Sequence, residues 1–172
     1  MHPSALRNGK NFFDKYSIGG SIVEIGSRGE GGGSLRGVAP VGCSYVGLDI
    51  HEGPGVDVVM YDPYEFPLLD GSFDCVVCSS VFEHVEFFWL TFVEMVRVCK
   101  PGGYIYANAP SNGIVHRCPV DCWRFYPDAG VALARWAYRK GYPVEVVETW
   151  IGPPDEEDPA RWADWVCVWR KS

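Results

Sequence analysis

No run of apolar residues in this chain approaches the roughly 18 needed to cross a bilayer, and Met1–Lys10 does not read as a secretory leader. Positive charge is also scarce: 15 Lys and Arg face 22 Asp and Glu, a net charge of −7. A general nucleic-acid binder needs a basic face to neutralise phosphates, so no nucleic-acid partner is expected. A cytoplasmic protein without membrane contact is expected. The Gly-x-Gly-x-x-Gly spacing of dinucleotide sites is missing around Gly26 and Gly29, which disfavours a nicotinamide oxidoreductase. Paired cysteines are missing as well. The seven present are odd in number and irregular in spacing, which excludes a disulfide framework. Cys75 and Cys78 form a Cys-x-x-Cys, but inside an apolar run that reads as a strand. Side chains three apart on a strand point to opposite faces and cannot share a zinc ion, so these are expected to be buried thiols. Cys118 and Cys122 have no second ligand pair of matching spacing.

What remains is ordinary globular composition, 47% hydrophobic and 22% charged over 172 residues, the length of one domain. One domain over residues 1–172 is expected, with a leading helix within 1–16 and a substrate-side loop over 111–127. Apolar runs bounded by glycine or charge predict strands at Ser21–Gly26, Ser44–Asp49, Val56–Met60, Phe73–Ser79 and Gly103–Ala107. Their near-continuous apolar character suits a parallel sheet covered on both faces. Phe88, Phe92, Met95 and Cys99 recur at helical spacing, and Pro127 to Lys140 reads as another helix that stops at Gly141. Val144–Trp150 and Asp164–Trp169 follow with no helix between them, so as neighbours they must pair antiparallel. The prediction is an α/β fold: a doubly wound, seven-stranded, mostly parallel sheet closed by a C-terminal antiparallel hairpin. Trp165 and Trp169 share a strand face with Cys167 and are expected in the core or at a subunit contact.

In such sheets ligands bind beyond the carboxyl ends of the strands. The glycine-rich stretch Gly26–Gly33 follows the first strand, Asp49 ends the second and Asp62 follows the third. A glycine loop permits close backbone approach, and an acid roughly 20 residues later suits ribose hydroxyls.

These stretches, with Pro67–Asp74, Ser79–Val85 and Arg97–Gly103 in order behind them, resemble the class I S-adenosylmethionine-dependent methyltransferases, particularly the small type-11-like domains. The resemblance implies a Rossmann-like methyltransferase fold of strand order 3-2-1-4-5-7-6 and S-adenosylmethionine as cofactor. By position it implies that Glu24 and Gly26 contact the amino-acid end of the cofactor, Asp49 its ribose and Asp62 its adenine amine, with Ser79 at the methionine end and Ser27 and Ile50 beside them. Arg28 stands where the family often has a second glycine, so the turn is expected to run through Gly29 and Gly31. Some relatives, the ubiquinone-biosynthesis O-methyltransferases among them, bind a divalent metal through Glu-x-x-Glu-His. Here Ser80 replaces the first Glu of that pattern, and no metal is expected.

On the acceptor side, His84 reads either as a packing residue at the strand-to-helix junction or as a general base, since neutral imidazole takes a hydroxyl proton near pH 7. The stretch His116–Pro127 is dense in polar and ring groups and resembles the Asp-x-Trp-Arg-Phe-x-Pro segment of small methyltransferases. It reads as a Trp-Arg-Phe plug over the following helix, or as a substrate wall in which His116 or Asp121 orients the acceptor. His116, His84 and Asp121 are the candidate catalytic residues. The expected reaction is O-methylation of a saccharide or secondary-metabolite hydroxyl, the acceptor being a glycan or a small molecule. A homo-oligomer would complete the pocket around a small acceptor. The rival reading is a non-catalytic or regulatory binding module on the same fold.

Overall fold

The computed structural model describes residues 3–29, 33–154 and 161–172. Seven strands form one sheet: β1 (Ser21–Ile25), β2 (Ser44–Asp49), β3 (Val58–Val59), β4 (Phe73–Ser79), β5 (Cys99–Pro110), β6 (Val144–Ile151) and β7 (Asp164–Lys171). Their order is β3-β2-β1-β4-β5-β7-β6. β1 to β5 run parallel, and β7 inserts antiparallel between β5 and β6. This is the predicted sheet, with the winding reversing between β1 and β4.

Helix α1 (Pro3–Lys15) packs Ala5, Phe12 and Phe13 on one face of the sheet. Phe12 stacks on Tyr106 of β5 at 4.7 Å between ring centroids. Helices α2 (Phe88–Val98) and α3 (Pro127–Arg139) cover the other face with Phe92, Met95, Leu133 and Ala137. Trp165 and Trp169 are wholly buried on that face beside Cys167. Each such ring or branched side chain contributes roughly 1.5–3 kcal/mol on leaving water. Cys75 and Cys78 are buried thiols of β4, whose burial pushes their pKa values up.

Three expectations need correction. Cys99 does not extend the helical stripe, because the backbone turns extended there (ψ 138°) and α2 ends at Val98. Its buried sulfur instead opens β5, which is longer than predicted at both ends; an irregularity opposite Phe73–Cys75 absorbs Pro101 and Gly102 within it. β3 shrinks to two residues. In the first half of the sheet, helices do not separate the strands. Only a 3-10 turn, Leu35–Val38, stands between β1 and β2 among the described residues, and no helix links β2 to β3 or β3 to β4. Those connections are short and interrupted by Pro54, Pro63 and Pro67, which remove helical donors.

Candidate active site at the carboxyl ends of the strands

The ends of β1, β2, β4 and β5 stand side by side, Ile25 opposite Leu48 and Cys78, and Ser79 opposite Asn108. Gly26 leaves β1 at φ +78°, and its amide donates to Leu48 O at 2.8 Å. A Cβ on Gly26 would lie 2.1 Å from Cγ2 of Val81, so the close approach of the two loops requires glycine. Ser27 follows, fully buried, its hydroxyl without a partner.

Asp49 ends β2 almost fully buried. Its carboxylate accepts from Arg28 N at 3.1 Å and His51 N at 3.0 Å. Two oxygens offer about four lone pairs, so acceptor capacity remains for a ligand's hydroxyls. Ile50 beside it is 40% exposed. Asp62 accepts from Tyr64 N at 2.7 Å and lines a cleft of about 300 Å³ with Val59, Tyr61, Glu65, Phe66 and Pro67. Ser79, at the end of β4, is buried with an unpartnered hydroxyl.

Glu24 is tied to the segment that follows the glycine loop. Its carboxylate accepts from Leu35 N at 2.8 Å and from the Ser34 hydroxyl, capping the 3-10 turn that follows the glycine loop. Burial raises its pKa, against the pull of these two bonds. The expected turn through Gly29 and Gly31 lies in part outside the described residues.

Past β4 and β5 a second constellation gathers. Ser80 adopts φ +56°, a conformation costly for a side-chain-bearing residue, and turns the chain from β4 into the 3-10 turn Phe82–His84. That turn sets Glu83 and His84 side by side at the rim, with His84 Nε2 3.6 Å from Glu83 Oε1. His84 Nδ1 lies 2.6 Å from the carbonyl of Val120, which can only accept, so Nδ1 carries the hydrogen. His116 arrives from the loop after β5, its ring 4.9 Å from that of His84 and equally close to Trp162. Burial lowers its pKa, Asp121 opposes that shift, and His84 adds to it.

Asp121 holds this loop together. Its side chain is 1% exposed, accepts two hydrogen bonds from Arg124 at 2.6 and 2.8 Å, and accepts the His116 amide at 2.8 Å. The Arg124 guanidinium holds its carboxyl well below the usual carboxylate range. Arg124 also lies over the Trp162 ring. Trp123 rests edge-on against Phe88 and donates to Val85 and Glu86 carbonyls. Phe125 stacks on Trp165.

Glu83 enters the sequence reading only as the second acid of the incomplete Glu-x-x-Glu-His pattern and is not among the candidate site residues. It is 1% exposed, Oε2 has no hydrogen-bond partner, and burial pushes its pKa up to about 8. The signal available was its place next to His84 directly after a buried strand. Histidines 84 and 116 are brought together; Asp121 reaches them through His116.

Residues 23–107 match the family model described as a methyltransferase domain. Over these residues the chain matches the class I S-adenosylmethionine-dependent methyltransferases. A phthiotriol/phenolphthiotriol dimycocerosates methyltransferase of Mycobacterium tuberculosis is 37% identical over 119 residues, covering 58% of this chain and 42% of that protein. An uncharacterized methyltransferase of Mycobacterium ulcerans is 29% identical over 143 residues, covering 74% of this chain and 53% of the relative. The chain thus spans about half the length, or less, of these curated relatives. Among solved structures, the 1,6-didemethyltoxoflavin-N1-methyltransferase of Burkholderia thailandensis, bound to 1,6-didemethyltoxoflavin and S-adenosylhomocysteine, superposes with a TM-score of 0.73 at 15% identity. The superposition covers 98% of this chain and 79% of that one. Likeness at that identity establishes the fold.

The family's cofactor fits the residues present. Two buried hydroxyls, of Ser27 and Ser79, lack partners, and the Asp49 carboxylate keeps lone pairs to spare.

Proposed function

We propose that this protein transfers the methyl group of S-adenosylmethionine to a hydroxyl of a secondary-metabolite or saccharide acceptor. The sulfonium supplies a methyl carbon already activated for in-line displacement, so the chain's own task is binding, orientation and exclusion of water. On this reading Asp49 binds the ribose, Ile50 lies along the adenine, Asp62 meets the adenine amine, and Gly26, Ser27 and Ser79 line the methionine end. Glu24 acts one step back, holding the loop through Ser34 and Leu35.

The observation that carries the acceptor side is the meeting of His84 and His116 beside the β4 and β5 ends. These two orient the acceptor hydroxyl, and Asp121 positions His116 through its amide. Ile114, Val115 and Trp123, exposed at 73%, 69% and 37%, favour an acceptor with a ring or hydrocarbon face next to its hydroxyl. That supports a secondary metabolite over a bare sugar.

The test is release of S-adenosylhomocysteine with a panel of hydroxylated ring compounds and saccharides. His116→Ala should reduce turnover by roughly 10²–10⁴ while cofactor affinity stays at the wild-type value. Cofactor binding without turnover on any acceptor would favour the regulatory binding module instead.

A further inference from the structure

We infer that Glu83, His84 and His116 form a binding site for one divalent transition-metal cation of the zinc class. One ligand atom from each of the three residues lies within 4.8 Å of the others, the one such group among the described residues. Because His84 Nδ1 faces Val120 O, Nε2 is the nitrogen turned toward Glu83 Oε1, 3.6 Å away. The other oxygen of Glu83 is buried and unpartnered. Leaving a buried carboxyl oxygen unmet costs free energy that a shared cation removes.

Two ligands held about 2.0–2.1 Å from a tetrahedral zinc ion stand roughly 3.4 Å apart, close to the 3.6 Å between His84 Nε2 and Glu83 Oε1, and His116 completes the set by a shift of its exposed loop side chain. Two imidazoles and one carboxylate are a donor set that suits zinc and its first-row neighbours, and leave an open position for water or an oxygen ligand. The surroundings agree. The Val120 carbonyl fixes the tautomer of His84, as second partners of metal-bound imidazoles do. Asp121 lies 3.4 Å from His116 Nδ1 and neutralises Arg124 through two hydrogen bonds, so the nearby guanidinium does not repel a cation unopposed.

The expectation of no metal came from Ser80, which breaks the local Glu-x-x-Glu-His pattern. The third donor here comes instead from the loop after β5. With the cation bound, the two histidines act on an acceptor through the ion they hold and not by direct contact, whichever acceptor is methylated.

The full chain, stripped with chelator, is titrated with Co²⁺ and followed by visible ligand-field absorption, then with Zn²⁺ in competition. One equivalent of Co²⁺ should bind and Zn²⁺ should displace it. His116→Ala and Glu83→Gln should each lose roughly 100-fold or more in affinity. A Cys118→Ser/Cys122→Ser double variant should bind as wild type. Thermal melts confirm that the variants fold. His116→Ala decides the matter if Glu83→Gln does not, since the His116 side chain is 38% exposed on a loop. Absence of Co²⁺ and Zn²⁺ binding by the wild type, or unchanged affinity in His116→Ala, overturns the inference. Cofactor affinity, measured separately by calorimetry, reports on the methyltransferase reading without involving the metal.

Discussion

Gly26 and Val81 are packed so closely that a methyl group on the glycine would overlap Cγ2 of the valine at 2.1 Å. This contact joins the loop after β1 to the loop after β4, and so fixes the cofactor side of the site relative to the acceptor side. Gly26→Ala must meet both the overlap and a φ of +78°. It should lose about 2–4 kcal/mol in urea denaturation, from overpacking plus left-handed strain. Adding Val81→Ala should recover the packing part and leave the backbone part. Full additivity of the two substitutions would mean that the contact carries no energy.

Asp121 and Arg124 hold the loop that presents His116. With the carboxylate removed, the Arg124 guanidinium, 21% exposed, and the His116 amide both lose their acceptor. Asp121→Ala should cost about 3 kcal/mol and open residues 111–126 to proteolysis. A loss below about 0.5 kcal/mol, the scale of an exposed pair, would make the bridge ornamental.

At the opposite end of the sheet, Asp74 accepts from Lys100 at 2.9 Å and from the amide and hydroxyl of Ser21 at 2.8 and 2.7 Å. Lys100 first, then Ser21, hold its carboxyl well below the usual range. A depressed native pKa stabilises the fold above the unfolded value of about 3.9 and ceases to do so as pH falls through the native one. Thermal melts should therefore show Asp74→Asn less stable than wild type at about pH 7, with the gap narrowing below about pH 4. A gap constant with pH would show that Lys100 does not discriminate the charged form.

Much of this was legible in the chain. Ile22, Val23, Ile25 and the Cys75–Cys78 run announce buried parallel strands because both of their faces are apolar, and the pair Val144–Trp150 and Asp164–Trp169 has no helical pattern between its members, which favours the hairpin that forms. The family motifs mark the strand ends for the same reason: they sit where apolar runs stop. What sequence hides is what long-range folding decides. Glu24 reads as a cofactor contact, and its bond from the Leu35 amide, eleven residues on, leaves no trace in the local pattern. Cys99 fits a helical stripe and a strand equally well, and the extended backbone at Cys99 resolves the choice. His116 meets Glu83 and His84 only through the turn at Ser80 and the Asp121–Arg124 brace, neither of which leaves a periodic trace.

The most direct test of the account is calorimetric titration of S-adenosylhomocysteine into the wild type and Asp49→Ala. Asp49 stands at the end of β2 with spare lone pairs, and two charge-assisted hydrogen bonds to a ribose are worth about 2–4 kcal/mol. The wild type should bind one equivalent, and the variant should lose roughly 30- to 1000-fold in affinity while keeping its secondary structure by circular dichroism. Wild-type affinity in Asp49→Ala, or no binding by the wild type, would contradict the assignment of the cofactor to the carboxyl ends of these strands.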